Sequence, residues 1–450
     1  MAAETLTGRL AEAALALAAQ PLPNEVLGLG GELLADLLLV AAAGQAEASS
    51  QALIAAAAAA PGPCQVWFAT PAARRAPAEA AFANTLNAAA LDYDSLNQAV
   101  HADLVTLPAA WAMAEYSGRT PLGMLQAFLI ASEAVSRLSR GGTGPSKGWS
   151  GTSLYGGLGA ALASGLLLGL DARELQHALG LAAAQAAGSQ QGNLEHTLAK
   201  RLQPAFAVRN GVQSALLAQA GATAPQNALE GRFGLRALYQ PGDDSALLSH
   251  WGTQWQVFDT ALKRYPTCAC GHAAIQALLD LQARVCFSAD AVEAVTAFVS
   301  PFMHRLVGAP LKLTADLQVV AQFSLQYQLA SVLLRGPFNL QHLLPDAVLA
   351  PAIASLAKRV NVQIDPANLH ELAPASVRVR LADGRVLQQR CEQLPGGPAA
   401  PLSSAQRAAK ARECGLHARP AISGTAVQAM ARGLAARPGL PDLLTSGLEQ

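Results

Sequence analysis

Between Lys263 and His272 the chain reads KRYPTCACGH, so a lysine, an arginine, a tyrosine, two cysteines and a histidine fall within ten positions. Only 14% of all residues are charged, which makes such a run conspicuous. Three chemistries suit it. A structural metal site wants four ligands in paired clusters, and the one other close Cys/His pair, Cys414 with His417, does not supply a matching cluster. A redox centre wants Cys-X-X-Cys, whereas Cys268 and Cys270 have one residue between them. An anion pocket asks only that cations and hydrogen-bond donors converge, and Lys263 and His272 can both line one. A surface lysine and a satisfied core histidine are the plain alternative.

Two further stretches carry similar groups. LDYDSLNQAVHADLVTLPAAWAMAE (91–115) sets Asp92, Asp94 and His101 just ahead of a predicted helix. A carboxylate beside an imidazole is acid–base equipment near neutral pH, and helix capping with an exposed turn explains the same residues without chemistry. EHTLAKRLQPAFAVRNG (195–211) places Lys200 at an otherwise apolar helix start, where a salt bridge to Glu195 is the ordinary reading. The glycine-rich GGTGPSKGWSGTSLYGGLGAALASG (141–165) contains a lysine but lacks the Walker spacing for a phosphate loop. Its last ten residues read as a surface where two helices approach closely.

The elements that position these groups are mostly helical up to about residue 255. Apolar spacing predicts helices over 117–140, over 171–188 with Asp171 and Glu174 as a capping box, and over 199–221 with Pro204 as a kink or restart. The Ala-rich patch at 55–60 reads as buried helix. After residue 258 the texture changes. Segments 291–300 and 357–365 alternate, and 376–390 is two alternating runs joined by Asp383-Gly384, a hairpin signal. Helical pieces lie between them at 273–285 and 321–336, and a Pro/Gly linker at 394–404 leads back to helix. The division expected is 1–257 all-α, 258–402 α+β, and 403–450 helices returning to the first unit.

Composition narrows the function classes. The chain has 450 residues, 52% hydrophobic, with 31 Lys+Arg against 31 Asp+Glu. Zero formal net charge gives no global field for nucleic acid or an anionic membrane. Six unevenly spaced cysteines do not make a disulfide framework, and the N-terminus lacks a basic start and apolar core. A cytoplasmic protein is the expectation, and the low charged fraction, with many faces buried, points to an oligomer. Residues 33–44 are interrupted by Asp36 and short, and 158–170 are broken by glycines, so neither reads as a membrane span.

Taken in order, LDYDS with the following H-x-x-x-V-x-LPAAWAMAE, GWSGTSLYGGLGAA, LLGLDARELQHALGLAAAQAAG, LAKRLQPAFAVRNGVQSALLAQAGATAP, LEGRFGL, KRYPTCACGHAAIQAL and AQFSLQYQLASVLLRG resemble the MmgE/PrpD family. That family includes 2-methylcitrate dehydratase, cis-aconitate decarboxylase and iminodisuccinate epimerase. The resemblance implies a large all-α domain built from both chain ends, an inserted α+β lid domain, a homodimer, and a cleft between body and lid. It implies catalytic roles for Asp92, His101, Lys200, Lys263, His272 and Tyr327, and substrate contacts from Ser150, Thr152, Cys268 and Arg264. It implies no cofactor and no metal.

Three positions depart from the family pattern. Leu96 stands where a threonine hydroxyl is common, Ser150 where many members have histidine, and Cys268 where the decarboxylase has a histidine. These changes argue against a decarboxylase of that type. The resulting expectation is a lyase that eliminates water from a small di- or tricarboxylate. Lys200 and Lys263 would each pair with a substrate carboxylate, His101 oriented by Asp92 would be the base, and Tyr327 or His272 the proton donor. The alternatives are an epimerase, a decarboxylase, and a non-catalytic carboxylate-binding dimer in which Ser150 and Leu96 mark lost activity.

Overall fold

The computed structural model describes residues 5–57, 60–69, 72–142, 148–244, 246–314 and 316–443. Its architecture is mainly α, with an α+β part in the C-terminal region. The helices of the first part are α1 (Leu6–Ala18), α2 (Asn24–Gln45), α3 (Ala48–Ala56), α4 (Pro77–Ala89), α5 (Ala102–Ser117), α6 (Pro121–Gly141), α7 (Gly151–Leu168), α8 (Ala172–Ala183), α9 (Gln191–Leu194), α10 (Ala199–Gln219) and α11 (Leu235–Leu238). Short strands β1 (Cys64–Gln65) and β2 (Arg74–Arg75) pair beside them.

Local signals account for most of these limits. Thr120 accepts from Gly123 N and Pro121 opens α6. Asp171 and Glu174 form the predicted capping box of α8, but the helix stops at Ala183, short of Gly188. The chain leaves the helix there so that Gly188 O can accept from Ser150 N and Gln190 N can donate to Gly148 O. Pro204 does not restart α10, which runs through it. The Ala-rich patch is also corrected: α3 ends at Ala56, where Ala55 and Ala56 are exposed, and residues 58–59 lie outside the described residues.

The glycines of α7 permit the close approach expected of them. A Cβ on Gly159 would lie 2.4 Å from Val135 Cγ2, and one on Gly211 of α10 would lie 2.4 Å from Gly157 O. Helices α2 and α7, at 22 and 18 residues, are long and apolar enough to cross a bilayer, so neither the shortness expected of 33–44 nor the glycines of 158–170 set them aside. Their apolar faces are covered by neighbouring helices, with 72% and 83% of the apolar windows buried.

Asp36, the charge that interrupts α2, is buried and paired. Lys410 Nζ of α18 (Ser404–His417) lies 2.7 Å from Asp36 Oδ1, donates to Tyr93 O at 2.9 Å, and sits 4.2 Å from the Tyr93 ring centroid. Burial pushes the Asp36 carboxyl up, and Lys410 opposes it. Helices α18 and α19 (Gly424–Arg432) thus lie against α2. Lys410→Met leaves a buried carboxylate without its cation and is expected to cost about 3–5 kcal/mol. The denaturation midpoint checks this, and adding Asp36→Asn should restore part of the loss.

The α+β part has four strands in the order β6-β5-β7-β8. Strand β5 (Val292–Val299) is parallel to β6 (Val360–Ile364) and antiparallel to β7 (Ala375–Leu381), which pairs with β8 (Val386–Cys391). Gly384 has φ +89° in the β7–β8 turn, as Asp-Gly foretells. Helix α12 (His272–Arg284) packs on β7 and β8, and α13 (Pro301–Val307) follows β5. The single helix expected over 321–336 is two, α14 (Leu317–Phe323) and α15 (Leu325–Arg335), because extended Ser324 caps Tyr327 N. Two short helices, α16 (Pro345–Val348) and α17 (Pro351–Ala357), precede β6. Finally, β3 (Leu96–Asn97) pairs with β4 (Thr260–Ala261), which fastens the 92–101 segment beside the 260–270 segment.

Candidate active site

A cavity of about 1150 Å³ opens along this seam. Seven of the residues singled out in the sequence line it: Asp92, His101, Lys200 and Lys263, with Ser150, Thr152 and Cys268. They arrive from the β3 approach, the α5 and α7 N-termini, the first turn of α10, and the loop after β4.

Asp92 is its electrostatic centre. It sits at φ +49°, uncommon for a side-chain-bearing residue although aspartate tolerates it better than most. Its Oδ1 is in contact with Lys200 Nζ and lies 3.1 Å from Lys263 Nζ, which also donates to Asp92 O at 2.8 Å. Burial acts to raise the Asp92 carboxyl, but Lys200, Lys263 and His101 outweigh it and hold the group well below the carboxylate range. Lys200 is raised, burial being overcome by Asp92 and Asp94. Two ammonium groups therefore share the Asp92 carboxylate, and these three groups sum to one positive charge, which the neighbouring Asp94 carboxylate offsets in part.

This corrects the expected pairing. Lys200 is bonded to Asp92 and not to Glu195, whose partner is Gln191. Lys263 does not stand free for a substrate carboxylate, since its side chain is 1% exposed and both contacts are with Asp92. Both lysines line the cavity, and Lys200, with its side chain 18% exposed, is the more open of the two.

His101 is oriented by Asp94 and not by Asp92. Its Nδ1 lies 2.6 Å from Asp94 Oδ2 and 2.9 Å from Ser95 O, and its backbone N donates to Thr152 Oγ1 at 3.1 Å. Burial would raise the Asp94 carboxyl, but His101 overrides it and the group is lowered. Ser95 O, hydrogen-bonded to Nδ1, assigns the proton there with the Asp94 carboxylate as its close ionic neighbour, and leaves the Nε2 lone pair for the cavity.

Behind this pair, Asp103 accepts from Ser95 Oγ at 2.5 Å. Burial, reinforced by Asp36 and Asp94 and opposed by Ser95, pushes the Asp103 carboxyl up to about 6. A raised carboxyl binds its proton more tightly folded than unfolded, so its contribution to stability falls as pH rises from about 4 past 6. Asp103→Asn removes that titration. The stability of the variant relative to wild type should increase by about 1.5 kcal/mol between about pH 5 and about pH 8 in denaturant titrations.

Three predicted residues do not line the cavity. His272 is fully buried at the start of α12, with Nε2 3.3 Å from Thr267 O and its ring against Tyr265, and burial with Lys263 pushes it down to about 3. Tyr327 is fully buried in α15, donates to His342 O at 2.5 Å, and is pushed up to about 12 by burial. Arg264 bonds Gln276 Oε1 and lies over the Tyr265 ring. Neither expected proton donor therefore fits this geometry. All three departures from the family pattern, Leu96, Ser150 and Cys268, do line the cavity. Hydrogen bonding with Cys270 lowers the Cys268 thiol against its burial. The lysine of the glycine-rich loop, Lys147, lies outside the described residues.

Sequence reading missed Arg140 and the loop at 365–374. Arg140 lines the cavity, its Nη2 is 2.6 Å from Asp259 Oδ2 and 3.2 Å from Asn97 Oδ1, and its buried Nε has no partner among the described residues. As a basic residue in the last turn of α6 it suits the helix dipole, which accounts for it without a site. The loop includes His370, for which no spacing signal existed.

The model of the MmgE/PrpD N-terminal domain matches residues 8–248, and that of the MmgE/PrpD C-terminal domain matches residues 265–430. Cis-aconitate decarboxylase of Aspergillus terreus is 30% identical over 229 residues, 46% of this chain and 46% of the relative. The cis-aconitate decarboxylase-like protein oryM of Aspergillus oryzae is 30% identical over 229 residues, 46% of this chain and 47% of its own. The chain thus spans about half the length of the curated relatives it matches. With both halves matched in order, the chain belongs to the MmgE/PrpD family.

Proposed function

We propose that this protein is a cofactor-independent lyase that acts on a small di- or tricarboxylate by taking a proton next to a carboxylate and eliminating water. The observation that carries the reading is the meeting of the Lys200–Asp92–Lys263 unit and the Asp94-held His101 on one cavity. Negative charge must accumulate beside a carboxylate in such a reaction. Lys200 presents the unit's positive charge to the bound carboxylate and offsets part of the negative charge that grows on it as the enediolate develops.

His101 Nε2 takes the C–H proton, and its electron pair enters the enediolate. That pair then forms the C=C bond as the β-hydroxyl leaves. The imidazolium returns the proton to the departing oxygen, so one group serves as base and acid and water is released. This assignment replaces Tyr327 and His272, which are buried elsewhere. The lid role of residues 258–402 belongs to the same reading.

The Aspergillus relatives favour a second reading, decarboxylation. Loss of CO2 would leave a carbanion that Lys200 stabilises and protonated His101 quenches. One experiment separates the outcomes. NMR of the protein with 2-methylcitrate, citrate, cis-aconitate and iminodisuccinate in deuterated buffer should show loss of water with formation of a vinylic carbon. Release of CO2 would select decarboxylation, and C–H exchange with inversion would select epimerisation. Binding without any turnover would contradict a lyase.

A further inference from the structure

His101 is the N-cap residue of α5, and Asp103 follows it by two positions in the first turn, buried behind the cavity wall. Among the described residues, the hydrogen-bond partners of Asp103 are hydroxyls. Its Oδ2 accepts from Ser95 Oγ at 2.5 Å, and its Oδ1 lies 3.4 Å from Ser132 Oγ of α6. Ser132 Oγ is in turn 2.7 Å from Thr106 Oγ1, which lies 2.8 Å from Ala102 O. The charges nearest Asp103 are Asp36 and Asp94, both of its own sign.

Each hydroxyl has one proton to give. If Thr106 gives its proton to Ala102 O, Ser132 gives its own to Thr106, and a proton on Asp103 Oδ1 completes the chain by donating to Ser132. Burial, which pushes this carboxyl up to about 6, favours that arrangement. When the carboxyl ionises, Thr106 and Ser132 turn their protons toward it. Ser95 donates to Oδ2 in either state, so this bond is common to both.

Ser95 joins this buried chain to the site. Its hydroxyl is on Asp103, and its carbonyl lies 2.9 Å from His101 Nδ1. The Asp94 carboxylate is close to Nδ1, but its oxygens have no hydrogen-bond partner among the described residues. The Ser95 carbonyl is therefore the directional contact of the imidazole. Leu96 begins β3, so Ser95 is held by the strand on one side and by Asp103 through its side chain.

We propose that Asp103 is a positioning residue: through the Ser95 hydroxyl it holds the Ser95 carbonyl against His101 Nδ1 and so aims Nε2 at the cavity. The proposal rests on the lyase reading for its effect on turnover, whereas the orientation of the ring is measured without substrate.

The test compares wild type with Ser95→Ala, Asp103→Ala and Asp103→Asn in the full chain. Asparagine keeps both contacts, its carbonyl accepting from Ser95 and its NH2 donating to Ser132. Proton NMR of the His101 Nδ1–H, identified by its absence in His101→Gln, reads the bond to Ser95 directly. In Ser95→Ala and Asp103→Ala this proton should exchange with solvent about tenfold faster, and kcat should fall about tenfold with KM within about twofold. Asp103→Asn should restore slow exchange and most of kcat. Ser95→Ala deletes one hydroxyl and leaves the backbone intact, so it carries the test if Asp103→Ala does not fold. Wild-type exchange in Ser95→Ala overturns the proposal, and so does fast exchange in Asp103→Asn. Faster exchange in the alanine variants, with no turnover of any acid by wild type, removes the lyase reading and leaves the positioning role standing. Turnover by wild type with unchanged exchange in every variant removes the positioning role alone.

Discussion

Replacing Lys200 by methionine is expected to lower kcat/KM for the accepted carboxylate by about two to three powers of ten, the scale of losing a preorganised electrostatic contact. The fold should survive the change. Asp92 keeps Lys263, 3.1 Å away and bonded to its backbone oxygen, so no buried carboxylate is left alone. What disappears is the surplus positive charge, because one ammonium group then faces one carboxylate. Lys263→Met provides the contrast. Its side chain is buried and its contacts are internal, so that variant should lose about 3–5 kcal/mol of stability as well as activity. Steady-state kinetics with denaturant titrations of both variants separate the two roles. Wild-type kcat/KM in Lys200→Met would remove Lys200 from the site.

His101→Gln should lower kcat by about two to four powers of ten while KM moves little, since the imidazole acts on the proton and not on the carboxylate. Asp94→Asn tests the orientation directly. With the carboxylate gone, Nδ1 loses its 2.6 Å partner and keeps only Ser95 O, so the population with its lone pair on Nε2 falls. Its loss of kcat should be substantial yet smaller than that of His101→Gln. Equal kcat in wild type and His101→Gln would assign the proton transfer to another group.

The outline of the fold was legible because its signals are local. The capping box at Asp171 and Glu174, the Asp383-Gly384 hairpin and the α7 glycines each act within a few residues or on one helix face. Breaks that depend on distant bonding were not. The end of α8 at Ala183 is fixed by what Gly188 and Gln190 bind at residues 148–150, and the α14–α15 break by a cap at Ser324. The site shows the same division. The family resemblance put Asp92, His101, Lys200 and Lys263 in one cleft, and they share a cavity. Partner choice was misread, because Asp92 and Asp94 are two positions apart and only the backbone turn at φ +49° decides which one faces the lysines. Burial defeated the assignment of His272 and Tyr327, whose types suit proton transfer but whose ring nitrogen and hydroxyl are directed at backbone carbonyls. Arg140 had no signal beyond an ordinary helix end.

The central claim is that Lys200 presents surplus positive charge to a carboxylate in the cavity beside His101. Calorimetric titration of wild type and Lys200→Met with propane-1,2,3-tricarboxylate, which has three carboxylates and no leaving group, tests it most directly. The account predicts binding to wild type that weakens with ionic strength and is at least about tenfold weaker in the variant. Equal affinity for the two proteins would contradict it.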